Sequence, residues 1–294
     1  MKLVTFEYHA ARKLGVVNPD HKIVDITAIV GSSDMNVLIA GYSRYEQDIK
    51  RISQEPRAAA LAINDVRLLA PIPETRRNIF CVGKNYYAHA QEFGNSGYDS
   101  SAAAGNVPKF PIIFTKPATA ICGPGDGIDS GLDPFDTIDY EAELAVVLGA
   151  KGRVTDADDP MSFVFGYTLV NDVTSRHLQK IHSQWVLGKG LDGFCPMGPV
   201  LVTADEFGAP GLRTITCEVN GELRQKASLA DLIFDIPTLI KTIGAGITLL
   251  PGDLIATGTP AGVGLGFNPP RYLQKGDVVK VAMAGIGDLV NSVY

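Results

Sequence analysis

The sequence predicts a strand-rich α+β fold, divided into a small N-terminal α/β region over residues 1–72 and a larger domain over residues 73–294. Three observations predict it. Apolar runs of strand length recur along the chain, as in Leu144 to Ala150 and Met161 to Val170. Turn signals punctuate such runs. The clearest is Asn220-Gly221 beside the alternating Ile215, Cys217 and Val219, and Pro251-Gly-Asp253, Lys275-Gly-Asp277 and Gly287-Asp288 repeat the theme. Helical periodicity, by contrast, is sparse and short, so a few helices and loops must gather the polar groups around a dominant sheet.

Short β-like pieces fall at Leu3 to Phe6 and Ile23 to Ile26, followed by a helix-like stretch from about Asp34 to Ile52. Ala58 to Ile63 is a short apolar piece turned by Asn64-Asp65. Pro71-Ile-Pro73 stiffens the chain ahead of the apolar run Asn78 to Val82, which places a linker at about 70–75. From Asn95 to Pro108 the residues are mostly Gly, Ser, Ala and Asn with little to bury, the pattern of a mobile surface loop. One helix is expected over Pro237 to Ile243, capped by Asp235 and stopped by Gly244 and Gly246, and another after Asp172.

Composition narrows the function classes. The chain is 46% hydrophobic and 20% charged, with no apolar run near the length of a bilayer span and no secretory signal, so a cytoplasmic enzyme-sized domain is expected. A net charge of −6 with no basic run argues against nucleic-acid and membrane partners. Cys81, Cys122, Cys195 and Cys217 lack CxxC spacing and read as reduced, partly buried thiols.

The residues that point to chemistry begin with Glu141 and Glu143, inside the apolar run from Asp139 to Leu148. Side chains two apart on a strand share a face, so the two carboxylates share one small volume and repel each other unless one is protonated or a cation lies between them. The run Phe163 to Val170 ends in Asn171-Asp172 and offers a third carboxylate. Three oxygen donors without Cys or His suit Mg²⁺, Mn²⁺ or Ca²⁺; the alternative places Glu141 and Glu143 on the solvated face of an edge strand. On a short predicted helix after Gly83, His89 and Glu92 stand three apart, close enough for the carboxylate to orient the imidazole as a base, or for an ordinary surface pair. Glycines on its downstream side would let that helix act as a lid. Arg176 and Gln179, four and seven residues beyond Asp172, fall one and two turns along one face if that segment is helical, where Arg176 could clamp a substrate carboxylate or simply face solvent. Lys189, between Gly188 and Gly190, reads either as a charge-stabilising group in a cleft or as an exposed turn lysine. The glycine-rich segment Leu254 to Gly266 lacks a phosphate-loop ending and is followed by Pro269-Pro270, so it reads as a tight turn at a site mouth, with Thr259 and backbone amides facing a carboxylate.

Six of these segments, in order, resemble the fumarylacetoacetate hydrolase family over about residues 75–294: Val82-Gly-Lys-Asn-Tyr-Tyr-Ala-His-Ala-Gln-Glu92, Phe114-Thr-Lys-Pro117, Asp139-Tyr-Glu-Ala-Glu-Leu144, Gly166-Tyr-Thr-Leu-Val-Asn-Asp-Val-Thr-Ser-Arg176, Val219-Asn-Gly-Glu-Leu-Arg-Gln225 and Pro251 to Gly264. The resemblance implies a mixed β-roll domain, a homodimer, and a Mg²⁺ or Mn²⁺ site at Glu141, Glu143 and Asp172. It implies that His89 and Glu92 form a water-activating lid dyad, that Lys189 stabilises charge, and that Arg176, Gln179 and Thr259 contact substrate. The short His-xx-Glu form resembles the acylpyruvate and fumarylpyruvate hydrolase branch. Gly190 stands where many relatives carry Ser, and the 95–108 segment is long, both of which bear on substrate size. The expected reaction is metal-dependent hydrolysis of a carbon–carbon bond in a 2,4-dioxo acid to pyruvate and a carboxylic acid. Decarboxylation of oxaloacetate and tautomerisation of a dienedioate would use the same site, and a keto-acid-binding protein with a structural cation is the alternative of another class.

Overall fold

The structure is a computed structural model that describes residues 1–55, 59–98 and 107–294. Most of the expected mobile loop, 99–106, lies outside the described residues. A twelve-stranded mixed sheet dominates. Its path runs from Ala60–Ala62 through Lys22–Asp25, Ala11–Val17, Lys2–Tyr8, Cys195–Thr203, Val164–Asn171, Ala142–Leu148, Leu254–Ala256 and Ile79–Gly83 to Ile112–Lys116. Two short strands, Arg67–Leu68 and Ile121–Cys122, pair off this path. A five-stranded sheet is built from Glu222–Ser228, Thr214–Val219, Val278–Met283, Gly287–Val293 and Gly127–Ile128. The sheet edges stay open, so the strand-rich expectation holds without a closed barrel.

The N-terminal strands belong to the large sheet. Lys2 pairs with Val202 and Leu3 with Leu201, so the first region extends the platform on which the C-terminal part is built. The expected linker at 70–75 falls in the irregular segment between Arg67–Leu68 and Ile79–Gly83.

Ala142–Leu148 is a central strand buried on both faces. Leu144, Val146 and Leu148 enter one core, shared with Ile215, Val279 and Leu289 of the smaller sheet, while Ala145 and Val147 enter a second core with Leu38, Ile39 and Ile49 of the N-terminal helices. Burial on both faces is why the sequence reads as a continuous apolar run rather than an alternation. Asn220 and Gly221 adopt φ of 53° and 78°, the left-handed pair a two-residue hairpin needs, and Val219 pairs with Glu222 across it. The helix expected from Asp34 to Ile52 is two helices, Met35–Ala40 and Tyr42–Ser53, because Gly41 leaves helical geometry and its N–H turns to Val37 and Ile39 carbonyls. The C-terminal helix spans Ile236–Gly244 with the Asp235 side chain accepting from Thr238 N–H, as its capping signal predicted.

Candidate active site

The three acids meet. Antiparallel pairing sets Ala142 against Asn171 and Glu143 against Val170, which brings Asp172, just past its strand, beside Glu141, just before its own. The junction is fixed by Asp172 N–H to the Glu141 carbonyl at 2.8 Å and by Glu141 N–H to Asn171 Oδ1 at 2.9 Å. Carboxylate oxygens of Glu141, Glu143 and Asp172 lie within 4.8 Å of one another, and all three residues are buried. The solvated-edge alternative fails because this strand is flanked on both sides, by Val164–Asn171 and Leu254–Ala256.

Buried like charges require compensation, and three cations supply much of it. Lys189 Nζ stands 2.8 Å from Glu141 Oε2, 2.8 Å from Asp172 Oδ2 and 2.9 Å from Thr174 Oγ1. Lys116 Nζ donates to Asp172 Oδ1 at 2.6 Å and to the Val173 carbonyl at 3.0 Å. The Arg176 guanidinium binds Glu141 Oε1 at 2.7 Å, Asp139 Oδ2 at 2.8 Å and Gln179 Oε1 at 3.3 Å. Burial pushes the Glu141 carboxyl up, but Lys189 and Arg176 outweigh it and hold Glu141 below the ordinary range. Burial, then the charges of Asp172 and Glu141, push Glu143 well above it; among the described residues its one hydrogen bond is from Gly258 N–H, at 2.8 Å. Burial disfavours the Lys189 ammonium, yet Asp172 and Glu141 raise its pKa. With all four ionised, Asp139, Glu141, Glu143 and Asp172 carry one negative charge more than Lys116, Arg176 and Lys189 offset, an excess that a proton on Glu143 or a bound cation relieves. An oxygen-only donor set with that excess fits a hard divalent cation.

His89 and Glu92 ride on the helix Tyr87–Asn95. His89 is buried, with Nδ1 3.2 Å from Glu92 Oε2, and Glu92 Oε1 in turn accepts from Gly262 N–H at 3.0 Å. The pair is therefore docked against the glycine-rich segment rather than solvated. Gly266 makes this possible, since a Cβ there would stand 1.8 Å from Glu92 Oε1. His89 lines one cavity with Lys84, Glu141, Arg176, Gln179, Lys189 and Thr259, and its volume of about 10 Å³ has room for about one water.

Arg176 and Gln179 reach this cavity by a different route from the one the spacing predicted. The helix begins only at Arg176, capped by Ser175, whose hydroxyl accepts from Leu178 N–H, so the two side chains share its first turn and touch each other. Protein carboxylates already engage Arg176, and Nη2 is its buried donor without a partner among the described residues. Lys189 lies on a short helix, Val186–Lys189, which packs close because Gly188 has no Cβ to meet Gln179 N, 2.4 Å from where that atom would be.

Sequence reasoning gave no role to Lys116, Asp139, Thr174 or Gln225. Asp139 Oδ1 and Oδ2 accept from Gly264 and Leu265 N–H at 2.6 and 3.0 Å, tying the glycine-rich segment to the acid cluster. Lys116 ends the apolar strand Ile112–Lys116 and is fully buried; a lysine closing an apolar run before Pro117 was the signal available in the sequence. The free cysteines bear out the reduced-thiol expectation; burial raises the Cys81 and Cys195 thiols, Cys195 to about 12.

The sequence profile described as fumarylacetoacetate (FAA) hydrolase C-terminal matches residues 78–294. The chain belongs to the fumarylacetoacetate hydrolase family. Its relatives within the family differ in the chemistry their names record. It is 39% identical over 308 aligned positions, covering 100% of both chains, to the oxaloacetate tautomerase YisK of Bacillus subtilis. The structure of a fumarylacetoacetate hydrolase from Exiguobacterium antarcticum superposes with a TM-score of 0.85 at 41% identity, covering 100% of this chain and 99% of the other. Maleylpyruvate hydrolase from Sphingobium sp. SYK-6, solved with manganese(II) and pyruvate, gives 0.80 at 32% identity over 100% and 98%. Among the described residues of this family member, no helix is long and apolar enough to cross a membrane.

Proposed function

We propose that this protein interconverts the keto and enol forms of a small 2-oxo dicarboxylic acid of the oxaloacetate type, as a homodimer that uses Mg²⁺ or Mn²⁺ held by Glu141, Glu143 and Asp172. The observation that carries this reading is that His89, oriented by Glu92, shares a cavity of about 10 Å³ with Glu141, the one member of the carboxylate trio that lines it. Proton transfer next to a 2-oxo group needs a base and an electron sink but no attacking water. The full-length identity of 39% to an oxaloacetate tautomerase supports it. When bound, the cation would polarise the 2-oxo oxygen and stabilise negative charge there. Glu92 accepts from Nδ1–H of His89, which leaves Nε2 to take the proton from carbon 3 of the keto form and deliver it to the enol oxygen. Lys189 and Arg176 Nη2, with Gln179 and Thr259, would seat the substrate carboxylates. Because the cavity is so small, the lid helix must move to admit even this acid.

A second reading is hydrolysis of a 2,4-dioxo acid, favoured by the maleylpyruvate hydrolase structures at 32% identity and by the space for about one water. There His89 would deprotonate the water attacking the 4-carbonyl and Lys189 would meet the oxyanion. The test gives Mn²⁺-loaded protein enol-oxaloacetate and follows loss of the enol absorbance, in parallel with pyruvate release from maleylpyruvate, fumarylpyruvate and shorter acylpyruvates. Accelerated enol loss that stops with chelator is the expected outcome. Pyruvate release without any acceleration of enol loss would put hydrolysis in its place, and oxalate binding without turnover of any of these acids would leave only a binding protein.

A further inference from the structure

Gln225 ends the Val219 to Gln225 segment but has no role assigned to it from the sequence; it reaches from the hairpin strand Glu222–Ser228 into the large sheet and is fully buried. Its amide makes three hydrogen bonds: Oε1 accepts from Ala142 N–H at 3.0 Å, and Nε2 donates to the Pro260 carbonyl at 2.7 Å and to Thr259 Oγ1 at 2.8 Å. Two of these partners fix which way round the amide lies. A backbone N–H can only donate and a proline carbonyl can only accept, so Oε1 must face Ala142 and Nε2 must face Pro260. The second Nε2 hydrogen then goes to Thr259 Oγ1, which is an acceptor in that bond. The hydroxyl proton of Thr259 has to point elsewhere, and among the described residues it has no acceptor of its own. Thr259 is buried and lines the cavity shared by His89, Glu141, Arg176, Gln179 and Lys189.

We infer that Gln225 is a positioning residue that sets the hydroxyl of Thr259 as a hydrogen-bond donor into the cavity, so that this wall favours a carboxylate or enolate oxygen over a ligand group that offers a proton. A serine or threonine hydroxyl without such a neighbour rotates to suit either kind of partner. Here one of its acceptor positions is taken and the O–H is left to meet an anion, a charge-assisted contact of the stronger kind. The same amide holds Ala142, the residue between Glu141 and Glu143, against the Thr259–Pro260 turn, so anion contact and carboxylate pair are kept in one register. This inference deepens the keto-acid reading and rests on it for the identity of the ligand.

The test is a double-mutant cycle on the Mn²⁺-loaded protein with oxalate as the probe, read by calorimetry. Thr259→Val removes the donor and should weaken oxalate by about tenfold, the worth of one hydrogen bond to a charged group. Gln225→Leu should cost at least a similar factor alone and clearly less in the Thr259→Val background, where only its hold on Ala142 and Pro260 is left to lose. Gln225→Glu, nearly the same shape and with its fold checked by circular dichroism, keeps the acceptor for Ala142 but presents an oxygen to Thr259, turns the hydroxyl away from the cavity, and should also lose about tenfold. In turnover these losses should appear in KM more than in kcat. Equal costs of Gln225→Leu with and without Thr259 would overturn the inference, as would unchanged oxalate binding in Thr259→Val. Absence of turnover on every 2-oxo acid in the wild-type protein would instead remove the keto-acid reading, and the coupling between the two residues would still be measured by oxalate.

Discussion

Lys116 offers the sharpest test of how the acid cluster is held together. It is fully buried, its Nζ is 2.6 Å from Asp172 Oδ1 and 3.0 Å from the Val173 carbonyl, and Lys116→Met keeps the length of the side chain while deleting the charge and both donors. Removing one partner of a buried ion pair costs about 3–5 kcal/mol, because the other charge is left uncompensated in a dry environment. Asp172 would still have Lys189 at 2.8 Å, which argues for the lower end, about 3 kcal/mol. Unfolding entropy of about 2.1 cal/mol/K per residue, taken over the chain, gives roughly 0.6 kcal/mol/K, so the expected fall in Tm is about 5 °C. The assay is a thermal or urea melt in chelator, repeated with Mn²⁺. The ion should recover more stability in Lys116→Met than in the wild type, since the oxygen that Lys116 releases is then open to it; at one hundred times Kd a single ion contributes about 2.7 kcal/mol. A variant that melts with the wild type in chelator would refute the claim that Lys116 compensates Asp172, and equal Mn²⁺ gains would refute the claim that the two cations share that carboxylate.

His89→Ala should lower turnover by about two to four orders of magnitude, the usual worth of a positioned acid–base group, with Mn²⁺ affinity unchanged by calorimetry; unchanged turnover would remove His89 as the base. Gly266→Ala places a Cβ 1.8 Å from Glu92 Oε1, so the Glu92 side chain must swing from its place between His89 and Gly262; kcat should fall while Mn²⁺ binding persists, and native kcat would show that this placement plays no part. Glu143 has its pKa raised by burial and by Asp172 and Glu141, so its folded form holds a proton above the ordinary carboxylate range. That proton adds stability below pH about 4.5 that is lost as pH rises toward the raised value, and a cation must displace it. Mn²⁺ binding near neutral pH should therefore release protons and tighten as pH rises, measured by calorimetry in buffers of differing ionisation enthalpy; binding with no proton release would contradict the Glu143 assignment.

What was legible in the sequence was whatever depends on strand parity and turn chemistry. Glu141 and Glu143 share a side because residues two apart must, and Asn220-Gly221 turns because only such a pair tolerates left-handed φ at both positions. The helix Ile236–Gly244 followed from its cap and its glycines. Distances that span unrelated segments were hidden. Lys116 reaches Asp172 across 56 positions and Gln225 reaches Ala142 across 83, contacts that no local period encodes. A helix does follow Asp172, but it starts only at Arg176, because the short strand Thr174–Ser175 comes first and Ser175 then caps, so the four-residue spacing from Asp172 is not one helical turn. The same cause explains Arg176: a spacing argument sees a basic residue near an acid and imagines a free clamp, whereas the fold brings Asp139 and Glu141 to it first. The cluster's charges are thus mostly satisfied by the protein itself. Under the proposed function, discrimination among substrates would fall to the few donors left over among the described residues, Nη2 of Arg176 and the hydroxyl of Thr259, and to the helix carrying His89, docked on Gly262.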